Sequence, residues 1–140
     1  MTQPKLLVLF IFFLVAACSA MEPAPPEAAE DEAMSRTEFT DTVENFFEYA
    51  PLKAGQPSQF RIHLTDLRDG SPVEGAEVVL TVRAPGSDGA LTSTTALVGK
   101  VAGIYVADLT VPRAGPYDIE FRVKNSKLDE WMRLSDFKVE

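Results

Sequence analysis

The stretch that decides the fold is residues 117–124, which read Tyr-Asp-Ile-Glu-Phe-Arg-Val-Lys. Apolar and charged side chains alternate along its whole length. Successive side chains of a β-strand point to opposite faces, so this pattern is typical of a strand with one buried and one solvated face. The same period of two runs through residues 58–66 and 76–84, and no segment after residue 39 carries a helical stripe with caps. The chain beyond residue 39 is therefore expected to be all-β.

Turn-forming residues separate these segments at regular intervals. Proline and glycine punctuate residues 51–57, 68–72 and 112–116, and the Asp-Gly step at Asp69 supplies the positive φ that tight turns require. This spacing predicts one seven-stranded immunoglobulin-like antiparallel sandwich over residues 39–140. The seven strands are expected at about residues 41–49, 58–66, 76–84, 91–97, 104–111, 117–124 and 131–139.

The N-terminus predicts export and a lipid anchor. Lys5 precedes an uninterrupted apolar run over residues 6–14, and small residues follow, which is typical of a secretory signal peptide over residues 1–17. The run is too short for a transmembrane helix, which needs about 20 apolar residues. The sequence Val15-Ala-Ala-Cys18 resembles the bacterial lipobox, in which the cysteine is lipidated and becomes the new N-terminus. An ordinary signal peptide with a chance cysteine is the alternative.

Residues 18–38 are expected to form a disordered tether after the lipidated Cys18. Proline, alanine and glutamate dominate them, and no aromatic or β-branched aliphatic residue is present to build a core. A short helix over residues 26–35 and an acidic cation-binding tail are alternatives. Ser19 stands where an Asp would retain an enterobacterial lipoprotein in the inner membrane, which favours the periplasmic face of the outer membrane.

The composition excludes several functions. The chain of 140 residues has one cysteine and one histidine, so it can build neither an internal disulfide framework nor a Cys/His zinc site. A formal charge of −8 argues against nucleic-acid binding, which needs clustered Lys and Arg. No nucleophile motif, P-loop or glycine-rich phosphate cradle occurs, and the one histidine lies in mid-strand. The chain is therefore expected to be no enzyme and to use no cofactor.

Two stretches resemble known families. Residues 46–67 contain an aromatic-Glu-Tyr motif, a Pro-Leu-x-x-Gly turn and the strand Phe-x-x-His-Leu-Thr-Asp, and they resemble the opening of an N-terminal β-sandwich domain of some RND-type efflux periplasmic adaptor subunits. Residues 69–78, 103–105 and 114–117 are similar to bacterial Ig-like modules, including small periplasmic domains associated with copper handling. The resemblance covers about residues 42–139. It implies a lipid-anchored accessory domain without the adaptor's lipoyl, hairpin and barrel parts.

A metal site has one candidate, His63. Copper-handling proteins use clusters of Met and His, whereas His63 stands alone and alternates with apolar residues that should face the core. It is expected to point outward beside Arg61 and Thr65. A site made of His63 and a carboxylate such as Asp66 is the alternative to a structural histidine.

The aromatic residues are expected mainly to fill the core. Tyr117 follows a turn and is expected to act as a tyrosine corner, with its hydroxyl bonded back to that turn. Phe46 and Phe47 are adjacent and cannot both face inward on a regular strand. Phe46, Phe47 and Trp131 are therefore the candidates for a partner contact.

These features together predict a membrane-anchored periplasmic lipoprotein that acts as a non-catalytic binding module. The expected partners are the membrane, through the lipid on Cys18, and an envelope protein, with an RND-type efflux complex as one possibility. A copper-handling protein and a purely structural envelope lipoprotein are the alternatives.

Overall fold

The computed structural model describes residues 32–140. These residues form ten β-strands and no helix, so this part of the chain contains no helix that could cross a membrane. The all-β class is thereby confirmed. The predicted signal peptide over residues 1–17, Cys18 and the tether as far as residue 31 lie outside the described residues. The strands are β1 Met34–Phe39, β2 Val43–Tyr49, β3 Pro57–Asp66, β4 Ser71–Pro72, β5 Glu77–Arg83, β6 Ala90–Thr95, β7 Leu97–Val98, β8 Ile104–Thr110, β9 Gly115–Lys124 and β10 Asp129–Val139.

The strands pair into two antiparallel sheets. Sheet A has the spatial order β1-β2-β3-β8-β7, with β4 also paired to β3, and sheet B has the order β10-β9-β5-β6. The predicted number of seven strands is wrong because β1, β4 and β7 were not expected. The segment expected as one strand at 91–97 divides at Ala96, where the chain leaves sheet B and pairs with β8 in sheet A.

Strand β1 corrects the predicted boundary between tether and domain. Residues 34–38 were expected to belong to the tether, yet every residue of β1 pairs with β2, from Met34 opposite Tyr49 to Phe39 opposite Glu44. The folded domain therefore includes Met34. Within the described part of the chain, β1 is one edge of sheet A.

The buried side chains of both sheets form one hydrophobic cluster. Phe47 of sheet A and Phe121 of sheet B are both fully buried, and their ring centroids lie 4.8 Å apart. Because β2 buries every second side chain, Asn45 shares the inner face with Phe47 and is also fully buried. Neither polar atom of the Asn45 amide has a hydrogen-bonding partner among the described residues.

Two tyrosine hydroxyls fix loops to the strands. The buried Tyr105 donates to the Val73 carbonyl oxygen at 2.8 Å and accepts from the Ala76 amide at 3.1 Å, which holds the loop before β5. Tyr117 donates to the Arg113 carbonyl oxygen at 3.0 Å. This bond to the preceding turn confirms the predicted role of Tyr117.

Arg36 connects β1 to β10 at one side of the domain. It donates to the Ser135 carbonyl oxygen at 2.9 Å, and its guanidinium carbon lies 4.9 Å from the ring centroid of Phe137. The β10 register shifts between Leu134 and Phe137, and Asp136 has a φ of 69°. This bulge brings the Ser135 carbonyl to the Arg36 side chain.

Candidate interaction surface

The outward face of sheet A carries an apolar row. Residues directly opposite each other in antiparallel strands share one face, and the register places Phe46 opposite His63 and His63 opposite Ile104. The next row pairs Arg61 with Val106. We call the apolar and aromatic members of these rows and their neighbours the sheet A outer face. Its members are Phe39, Phe46, His63, Leu97, Ile104 and Val106.

The centre of this surface is the ring pair of Phe46 and His63. Their centroids are 5.3 Å apart with an interplanar angle of 59°, and both residues are half-buried. The Nε2 atom of His63 is shielded from solvent and has no hydrogen-bonding partner among the described residues. His63 therefore occupies the outward position that the alternation predicted, packed on an aromatic ring.

The rim of the surface is more exposed than its centre. Phe39 on β1 is 63% exposed and Leu97 on β7 is 76% exposed. Charged side chains of the same face flank the apolar row, with Glu48 opposite Arg61 on one side and Glu44 on the other. Charged side chains beside an exposed apolar surface are also found at protein-binding patches.

Phe47 is not part of any surface. It is fully buried, and its ring lies 6.0 Å from Phe60 and 6.4 Å from Phe137, centroid to centroid. The proposal of Phe47 as a partner contact is therefore wrong. Of the two adjacent phenylalanines, Phe46 faces outward and Phe47 faces the core.

Trp131 lies on the outward face of the other sheet. Its side chain is 55% exposed, and the Arg122 guanidinium carbon lies 4.3 Å from the ring centroid. Arg122 also donates two hydrogen bonds to Asp129, both at 3.1 Å, which lowers the pKa of that carboxyl. Trp131 and Phe46 therefore belong to separate faces and cannot form one contact site.

The suggested metal pair of His63 and Asp66 is not assembled. The two residues are three positions apart on β3, so their side chains point to opposite faces. Asp66 is buried and accepts a hydrogen bond from the Arg68 Nη2 atom at 2.6 Å. Across residues 32–140 no group of three His, Cys, Asp or Glu side chains is arranged to hold a metal ion.

Sequence reasoning missed most of the rim of the sheet A outer face. Phe39 preceded the first strand expected at 41–49, and Leu97 was placed at the end of a single strand. Ile104 and Val106 could have been identified as members of this surface from the sequence, because Ile-Tyr-Val-Ala at 104–107 is continuously apolar. Such a run indicates a strand with apolar side chains on both faces.

Comparisons with known proteins identify no family for this chain. No family model matches the chain, and no curated protein matches it. A solved structure described as "ZirS C-terminal Domain" is similar to 100% of this chain and 84% of that chain, with 15% identity and a TM-score of 0.44. That degree of likeness carries no argument about fold or function.

Proposed function

We propose that this chain is a membrane-anchored envelope lipoprotein whose domain binds a protein partner without catalysis. The observation that carries the proposal is the sheet A outer face. A soluble sheet normally places polar side chains toward water, whereas this face presents Phe46, Ile104 and Val106 in adjacent rows. Apolar surface of this kind gains free energy when a partner removes it from water.

The proposed architecture is an immunoglobulin-like sandwich. Three features support it: two antiparallel sheets, a shared aromatic core with Phe47 and Phe121 at 4.8 Å, and the hydroxyl of Tyr117 bonded to the preceding turn. Of the strands beyond the expected seven, β1 and β7 lie at the two edges of sheet A, and β4 pairs with the end of β3.

The proposed location is the periplasmic face of the outer membrane. Its support is the motif Val15-Ala-Ala-Cys18, followed by Ser19, after a short apolar run. The anchor is tested by labelling cells with a fatty-acid analogue and fractionating their membranes. The wild-type chain is expected to carry the label and to sediment with the outer membrane, and Cys18→Ser is expected to remove the label. Label on the Cys18→Ser variant would contradict the anchor.

The binding surface is tested by site-specific photo-cross-linking in cells. A photoreactive residue at 46 or at 104 is expected to give the same cross-linked band, because both positions lie in one row of the sheet A outer face. Positions 81 and 133 on sheet B are the matched controls and are expected to give no such band. The substitution His63→Glu is expected to abolish the band from position 104.

The identity of that band decides between partners. A subunit of an RND-type pump or its adaptor supports the accessory role that the sequence resemblance implies, and another envelope protein supports binding of a different kind. Equal cross-linking from both sheets would overturn the proposed surface.

A further inference from the structure

His63 is the only histidine of the chain, and it lies in the central row of the sheet A outer face. Its Nε2 atom is shielded from solvent and has no hydrogen-bonding partner among the described residues. A neutral imidazole carries a proton on one ring nitrogen and a lone pair on the other. The observed position of the ring is therefore suited to the neutral form, with the proton on Nδ1 and the lone pair on the shielded Nε2.

Protonation changes what this position can hold. A proton from solvent adds to the Nε2 lone pair, so that both ring nitrogens donate and the ring becomes positively charged. In the observed position the new N–H at Nε2 would be a shielded, charged donor without an acceptor, which disfavours the charged form. A cation beside an aromatic ring such as Phe46 gains little at a partly exposed site. The imidazolium is therefore expected to leave the Phe46 ring and expose Nε2 to water.

The structure offers the ring a second position. His63 borders a surface pocket of about 290 Å³ beside β3, which Thr65, Pro72, Gly103 and Ile104 also line. No charged side chain is among the described residues that line this pocket. Because the pocket is open to solvent, an imidazolium turned into it regains water at Nε2.

The charged groups around His63 come from three strands. On β2, Glu44 and Glu48 lie on the same outward face and favour a positive ring. On β3, Arg61 shares the face of His63 and opposes a positive ring, and on β8 the acid Asp108 lies two rows away, opposite residue 59. Carboxylates and guanidinium groups ordinarily keep their charges between pH 5 and 8, whereas an imidazole changes its charge there. The change of charge on this face in that range is therefore expected at His63.

We propose that His63 is a pH switch of the sheet A outer face, in which protonation moves the imidazole from the Phe46 ring into the adjoining pocket and weakens partner binding. This inference rests on the proposed binding function and adds its regulation. The neutral ring packs on Phe46, whereas the imidazolium uncovers Phe46 and sets a charge beside it. A partner that covers this surface also removes water from the charge, which disfavours the charged form further. Binding is therefore present above the range in which the imidazole titrates and is lost as the pH falls through that range.

The pH dependence of cross-linking tests the switch. The photoreactive residue at 104 is activated in isolated cell envelopes at about pH 7.5 and about pH 5.5, on either side of the ordinary histidine pKa of about 6.5. The band is expected to weaken up to about ten-fold in acid, because only about a tenth of the rings then remain neutral. His63→Gln is expected to weaken the band at both pH values and to bring their ratio close to one. Glu48→Gln, which removes a charge from the same face, is the matched control and is expected to keep the wild-type ratio.

The switch and the binding proposal fail in different ways in this experiment. A band of equal yield at both pH values overturns the switch and leaves partner binding in place, and so does a His63→Gln band that still weakens in acid. No band at either pH contradicts partner binding, and the switch together with it.

Nuclear magnetic resonance of the purified full chain in mild detergent follows the ring without a partner. Ring-labelled histidine gives one set of imidazole signals, because the chain has one histidine. Phe46→Leu removes the aromatic ring that shifts these signals, so its imidazole spectrum is expected to differ from the wild-type spectrum at about pH 7.5 and to coincide with it at about pH 5.5. Phe39→Leu is the matched control and is expected to leave the signals unchanged, since β2 separates Phe39 from β3. A difference between wild type and Phe46→Leu that persists in the charged ring would show that the imidazole stays on Phe46 and would overturn the proposal.

Discussion

At the scale of single residues, Asp66 shows how one ion pair is built at the end of a strand. Its carboxylate accepts hydrogen bonds from the Arg68 Nε, Nη2 and backbone N–H groups at 2.9, 2.6 and 3.0 Å. The hydrogen bond from the Arg68 side chain is the main cause that lowers the pKa of Asp66 from 3.8 to about 2. The folded state therefore prefers the charged carboxylate.

This preference predicts how stability changes with pH. A depressed carboxyl pKa stabilises the fold above the unfolded value of 3.8, and that contribution is lost as the pH falls toward 2. Asp66→Asn is expected to flatten the dependence of unfolding free energy on pH between about 4 and 2. Urea unfolding followed by the fluorescence of Trp131, the only tryptophan, measures the unfolding free energy at each pH.

Glu44→Gln is the matched control for Asp66→Asn, because it also removes one carboxylate, from the outward face of sheet A. It is expected to leave the steep loss of stability between pH 4 and 2 in place. An Asp66→Asn variant that follows the wild-type curve would show that Arg68 does not stabilise the folded state through this carboxylate.

At the scale of elements, the sequence predicts best the strands that bury one face. Strand β3 alternates along its length and β9 alternates from Ile119 to Val123, because their inward side chains enter the core, so their pattern indicates a strand. Strand β1 reads Met-Ser-Arg-Thr-Glu-Phe and buries none of its side chains fully. Strand β1 is positioned by its backbone pairing with β2. Its own residue pattern does not indicate that pairing.

The candidate site was predictable to a similar degree. Period two on β2 requires that one of Phe46 and Phe47 faces outward, and Glu44 and Glu48 share the parity of Phe46, which favours Phe46 as the outward residue. Whether Ile104 joins the row of Phe46 and His63 depends on the long-range pairing of β3 with β8. That pairing is invisible to a local pattern, so the row with Ile104 emerged only from the structure.

The contact of Arg36 on β1 with β10 can be tested by substitution. Arg36→Leu removes the hydrogen bond to Ser135 and the contact with the Phe137 ring, which join the two sheets at their edges. The free energy of unfolding is expected to fall by about 1–2 kcal/mol. Hydrogen exchange by mass spectrometry is expected to show faster exchange in β1 and at residues 135–137.

Arg113→Leu serves as the control for Arg36, because Arg113 is exposed in the turn before β9. It removes the same charge and is expected to leave exchange in β1 unchanged. Unaltered exchange in Arg36→Leu would contradict the view that Arg36 holds β1 against β10.

At the scale of the whole molecule, the shared core should make the two sheets unfold together. The cluster around Phe47 includes Phe60 from sheet A and Phe121 and Phe137 from sheet B, so neither sheet keeps a core of its own when the other is lost. A domain built in this way is expected to unfold in one cooperative transition. Trp131 fluorescence, which reports on sheet B, should then coincide with the far-ultraviolet circular dichroism of both sheets.

The adjacent phenylalanines of β2 give this expectation a sharp test, because they differ only in the face they occupy. Phe47→Ala opens a cavity at the contact between the sheets and is expected to lower the unfolding free energy by about 3–5 kcal/mol, detected equally by both probes. Phe46→Ala removes the same atoms from the half-buried outer face and is expected to cost about 1 kcal/mol or less. Similar costs at the two positions would place Phe46 in the core and remove it from the proposed binding surface. Two separate transitions in Phe47→Ala would show that the sheets are stable independently of their shared core.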